Sequence, residues 1–181
     1  THENSSAASD VYKRQNLCTE ITLNTSADEI AVCNLGSVNL ARHMKDGALD
    51  EDKIKQTVST AIRMLDNVIN INYYSVDTAK NSNLKHRPIG LGMMGFQDAL
   101  YVQDIAYCSD EAVNFADKSM ELISYYAIHA STELAKERGS YETYEGSLWS
   151  KGILPKDSIE ILAENRGSEY LNVDRSETLD W

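Results

Sequence analysis

The chain has 181 residues, enough for one ordinary domain and equally suited to be a piece of a larger one. Its formal net charge of -11 and pI near 4.7 exclude broad nucleic-acid binding, because phosphate contacts need clustered Lys and Arg. No stretch approaches the roughly 20 consecutive apolar residues of a membrane helix, and the N-terminus lacks the apolar core of a secretory signal, so the expectation is a cytoplasmic protein without nucleic-acid or membrane partners.

Residues 1–15 are polar and Ser/Ala-rich without apolar periodicity, and read as a disordered or non-native lead-in to a domain covering 16–181. From Asn16 to Ile21 the pattern is extended, Asn24 to Asp28 reads as a turn, and Glu29 to Leu35 reads as a second strand. Ser37 is placed to cap a short helix carrying Val38, Leu40 and Ala41 and ending near Asp46-Gly47. A long helix then starts after Asp50, with Ile54, Val58, Ile62, Leu65 and Ile69 on its buried face. Pro88 to Gly92 suggests a short buried strand or loop, followed by a helix across Phe96 to Tyr101. A second long helix starts at Ser109 or Asp110, with Val113, Ala116, Met120, Ile123, Ala127, Ala130 and Leu134 as its stripe and Gly139 as its stop. Turns fill Ser140 to Gly152, and a last helix spans Asp157 to Glu164. Two strands near the start cannot form a stable sheet unaided, so strands from outside this sequence are expected to complete it.

Asn16, Cys18 and Glu20 alternate along the first predicted strand, so an amide, a thiol and a carboxylate share one face if the chain is extended there. Such a face can hold chemistry on a small polar substrate; by spacing alone it can equally be the outer face of a strand whose Leu17 and Ile21 point inward. Cys33, inside the apolar run Ile30 to Leu35, reads on its own as a buried small hydrophobe. Cys108 precedes a helix N-terminus, where a thiol can be activated, although an incidental thiol explains it as well. The three cysteines have no C-x-x-C or zinc-ligand spacing, so no metal site is expected. Gly90 to Gly95 matches G-x-G-x-x-G by letter, but no apolar strand precedes it, and close backbone packing explains it better than a dinucleotide. Tyr73-Tyr74 and Tyr125-Tyr126 read as packing residues, and His86 as an ordinary hydrogen-bonded histidine.

Asn16-Leu17-Cys18-Thr19-Glu20-Ile21, Ile30-Ala31-Val32-Cys33-Asn34-Leu35, Ile71-Asn72-Tyr73-Tyr74, His86-Arg87-Pro88-Ile89-Gly90-Leu91-Gly92, Tyr141 to Ser147 and Ser150 to Leu154 occur in this order. Together they resemble the large (alpha) catalytic subunit of class I ribonucleoside-diphosphate reductase. The resemblance implies an α/β fold, a fragment of a ten-stranded α/β barrel that is predominantly helical in this segment. It implies that Cys18 becomes a transient thiyl radical and abstracts the 3′ hydrogen of a ribonucleoside diphosphate, that Glu20 takes the 3′ hydroxyl proton, and that Asn16 holds the ribose hydroxyls. Cys33 corresponds to one member of a redox disulfide whose partner lies upstream in the family. No cofactor is implied in this chain: the radical comes from a metal-containing small (beta) subunit, the reductant is thioredoxin or glutaredoxin, and the large subunit is a homodimer. The effector region, the later phosphate loop, the C-terminal tyrosine pair and the C-terminal cysteines of the family are not in this sequence, which implies an internal fragment without activity of its own. A helical interaction module with inert cysteines is the alternative from another class.

Overall fold

A computed structural model describes residues 23, 25–168 and 179–181. Two strands, β1 (Leu35–Asn39) and β4 (Gly90–Met94), pair in parallel with Leu35 opposite Gly90 and Asn39 opposite Met94. Between them run a 3-10 turn (Leu40–His43), the hairpin strands β2 (Met44–Lys45) and β3 (Ala48–Leu49), and the helices α1 (Glu51–Ile71) and α2 (Asp77–His86). After β4 come α3 (Phe96–Val102), α4 (Asp110–Arg138), two short 3-10 turns and α5 (Ser158–Arg166). Parallel strands need a crossover, and helices supply it here, as in an α/β unit.

The two long helices carry the clearest local signals. Asp50 caps α1, its Oδ1 accepting from the Lys53 N–H at 3.1 Å, and Ile54, Val58, Ile62, Leu65 and Ile69 are all buried as their spacing predicts. Ser109 caps α4 by accepting from the Ala112 N–H at 3.2 Å, and Gly139 ends it at φ +86° with its N–H on the Ala135 carbonyl. Tyr126 reaches Glu51, Arg63 reaches Glu137 and Arg138 reaches Asp66, so sequence position advances in the same sense along both helices, which lie parallel. Their inner faces, with Val38 and Leu40 from the sheet side and Ala99 and Leu100 from α3, form the core.

Four expectations are corrected. Glu29 to Leu35 is not a strand; β1 starts at Leu35, where that strand was expected to end, because polar side chains tie residues 29 and 34 to α2 instead of a ladder. No Ser37-capped helix forms: the strand continues through Asn39 and only the Leu40–His43 turn follows. Asp46-Gly47 makes a tight hairpin, with φ of +53° and +78°, the left-handed pair that an Asp-Gly turn adopts, rather than a helix end. The buried stripe of the first half of α4 is Ala112, Phe115, Ser119 and Leu122, rotated by one residue from the expected one, and Val113 and Met120 are exposed. Phe115 decides that rotation by packing on Phe96, ring centroids 5.7 Å apart.

The first five letters of G-x-G-x-x-G form β4 itself, with both leading glycines in the strand, and only the last, Gly95, stands between that strand and α3. Gly95, at φ +69°, lies so close to Asn39 that a Cβ there would stand 2.6 Å from Asn39 Oδ1, which makes close packing the reason for that glycine.

Candidate active site

Asn16, Cys18 and Glu20 lie outside the described residues, so the described part of the candidate site centres on Cys33. Its apolar run is turned over relative to expectation: Cys33 is exposed, Ile30 and Leu35 are about half exposed at 46% and 51%, and the amide Asn34 is the buried member at 6%. A buried hydrophobe is therefore not what Cys33 is. The reason is polar: an amide with partners inside the fold can outweigh the outward turn of its apolar neighbours.

Those partners form a continuous chain. Asn34 Nδ2 donates to Asn83 Oδ1 at 2.9 Å and to the Pro88 carbonyl at 3.0 Å. Fully buried Asn83 donates in turn to the Tyr74 hydroxyl, which donates to the Ile69 carbonyl at 2.7 Å. Five residues before Asn34, buried Glu29 accepts from Lys85 Nζ at 2.6 Å and from His86 Nε2 at 3.0 Å. Nδ1 of His86 meets the Thr143 hydroxyl at 2.9 Å, so the histidine joins this segment to the turn region after α4. The Lys85 bond, then the His86 bond, hold the Glu29 carboxyl below its ordinary 4.5, and Glu29 raises Lys85 above its ordinary 10.5. His86 is thus hydrogen-bonded on both ring nitrogens, as expected of an ordinary histidine.

Sequence reasoning missed Glu29, Asn34, Asn83 and Lys85. Asn34 carried one usable signal, a lone amide inside an apolar run; the others meet it or one another across about fifty residues, Asn83 alone having a nearer partner in Tyr74. Tyr74 takes a structural role, whereas Tyr73, expected as a packing residue, is exposed; Tyr126, pushed up to about 12 chiefly by its bond to Glu51, is held at a helix contact. Cys108 is exposed, immediately before the Ser109 cap. Among the described residues no group of three or more His, Cys, Asp or Glu is placed to hold a metal ion, and no helix is long and apolar enough to cross a membrane.

A parallel strand pair with crossover helices, and an exposed cysteine just before the first strand, describe one sector of an α/β domain. The family model for the ribonucleotide reductase barrel domain matches residues 1–181, and the chain belongs to that family of oxidoreductases. It is 60% identical over 171 residues to the ribonucleoside-diphosphate reductase subunit alpha of Chlamydia muridarum, covering 94% of this chain and 16% of that protein. It is also 40% identical to the large subunit of Arabidopsis thaliana, covering 85% of this chain and 21% of the relative, and 45% identical to that of Trypanosoma brucei brucei, covering 80% and 17%. The chain thus spans about a sixth to a fifth of the length of these relatives. None of them supports a helical interaction module.

Proposed function

We propose that this chain is the segment of a ribonucleoside-diphosphate reductase large subunit that holds the hydrogen-abstracting cysteine and one of the two reducing thiols. The observation that carries the reading is the family match over residues 1–181, which includes Asn16-x-Cys18-x-Glu20 and Cys33 in order. Exposure of Cys33 supports it further, since a sulfur that must exchange with another has to be reachable.

Cys18, as a thiyl radical, takes the 3′ hydrogen of the ribonucleotide. Glu20 accepts the 3′ hydroxyl proton, a task suited to a carboxylate within hydrogen-bond reach. Asn16 orients the ribose hydroxyls without competing for that proton. The 2′ hydroxyl then leaves as water and a hydrogen takes its place; two thiols, Cys33 and a cysteine elsewhere in the parent, supply the two electrons and two protons and become a disulfide. Thioredoxin or glutaredoxin restores the dithiol by thiol exchange. The metal-containing small subunit is the radical source, the large subunit is a homodimer, and this segment forms part of its ten-stranded barrel. The assembly is cytoplasmic and allosterically regulated, and its deoxyribonucleoside diphosphates supply DNA replication.

The test is Cys18→Ser in the full-length parent. Turnover should disappear while nucleoside diphosphate still binds, and deoxynucleotide formation by that variant would end the proposal.

A further inference from the structure

Cys33 sits on a strap, residues 29–34, that is fastened at both ends. At the first end Glu29 is gripped by Lys85 and His86, and the Ile30 N–H donates to the Thr78 carbonyl at 3.2 Å. At the second, Asn34 spends both Nδ2 hydrogens on Asn83 and Pro88, while its own carbonyl accepts the Gly90 N–H at 2.9 Å, the bond that opens the β1–β4 pairing. The residue after Cys33 is therefore fixed by three hydrogen bonds, two from its side chain and one to its backbone. Asn83 is itself fixed by Tyr74, so the anchor does not end on a movable group.

We propose that Asn34, with Glu29 at the far end of the strap, is a positioning residue for the Cys33 thiol. The inference rests on the reading of Cys33 as one of the two reducing thiols. Forming a disulfide brings two sulfurs to a bond of about 2.05 Å with Cα atoms about 4.4–6.8 Å apart, so ångström-scale wandering of one backbone removes the geometry. Residues 29–34 belong to no strand or helix, so the hydrogen bonds at the two ends of the strap restrain its backbone. The buried amide supplies directional restraint from below and leaves the sulfur outward. The step it serves is the balanced one above: two thiols are oxidised to a disulfide, and the C2′–OH bond is replaced by C2′–H with release of water.

The experiment uses the full-length large subunit with its small subunit, a nucleoside diphosphate and dithiothreitol. Asn34→Ala should lower kcat about tenfold or more with KM unchanged, and slow single-turnover disulfide formation at Cys33 by the same factor. Val58→Ala, a truncation in the α1 core, should lower the melting midpoint without that loss of kcat, which separates positioning from stability. Glu29→Gln, which keeps the shape and removes the charge, should give a smaller fall in kcat, again at constant KM; it decides the matter if Asn34→Ala does not fold. Wild-type kcat in whichever of the two variants folds, alongside an inactive Cys33→Ser, overturns the positioning role and leaves the redox reading standing. A Cys33→Ser enzyme that still turns over removes the redox reading itself.

Discussion

Along the α1–α4 pair the apolar side chains Ile54, Val58, Ile62, Leu122, Ile123 and Leu134 are inside and the ion pairs stand at the rim, whereas the strap turns Ile30 outward and buries Glu29 and Asn34. The same chain thus holds two neighbouring regions by opposite means. Apolar contact is strong but indifferent to direction, so it suits a pair of rods that must only stay together. Buried hydrogen bonds add less net stability, yet each fixes an orientation, and they occur where one particular side chain must face outward. Asp66 is one place where the two modes meet: Arg87 from the end of α2 and Arg138 from the end of α4 both close on its carboxylate, and the Tyr74 hydroxyl ties the polar region to α1 again at the Ile69 carbonyl.

Breaking each region in the parent protein should give effects of different size. Truncating Ile54, which is fully buried, to Ala should cost about 2–5 kcal/mol in denaturant unfolding of this domain, through lost burial and the cavity left behind. Removing the central amide with Asn83→Ala leaves Asn34 and Tyr74 without their partner and should cost less, about 1–3 kcal/mol, with hydrogen-exchange protection lost first at Ile30 and Gly90. An equal loss of protection along α1 in that variant would contradict the division into two regions.

Acid should sharpen the same contrast. Because Lys85 and then His86 depress the folded pKa of Glu29, its stabilising contribution is full above the ordinary 4.5 and is lost as pH falls through the lower folded value. The strap should therefore loosen in acid while the apolar contact of α1 with α4 persists. Titration of the Glu29 carboxyl by carbon NMR checks this, and a midpoint at or above 4.5 would count against it. The smallest effect belongs to Arg63→Ala. Its bidentate pair with Glu137 draws that carboxyl down to about 2, but both groups are half exposed, and solvent screens what the pair contributes. The melting midpoint should not move measurably.

The contrast also explains what could be read before the structure was seen. The helix α1 was legible in full, because Asp50 caps it and its five buried residues repeat at helical spacing. The helix α2 was not, since its buried face is Ala79, Ser82 and Asn83, which carry no apolar period. In α4 the start and stop were clear, but two stripes one residue apart were available, and only contact with Phe96 selects the one with Phe115. At the site, motif order pointed to Asn16, Cys18, Glu20 and Cys33, while the exposure of Cys33 was hidden by the apolar letters around it. Glu29 meets Lys85 and His86 across 56 and 57 residues, a pairing that no local pattern announces.

The central claim, that this segment carries the abstracting cysteine and a reducing thiol, is tested most directly by following Cys33 through one turnover of the parent enzyme. With nucleoside diphosphate and active small subunit, the parent's C-terminal cysteines replaced by Ser and no external reductant, differential alkylation and mass spectrometry should find Cys33 converted from thiol to disulfide as one deoxynucleotide forms. Cys18→Ser should leave it a thiol. Deoxynucleotide formed in that single turnover with Cys33 still reduced would contradict the account.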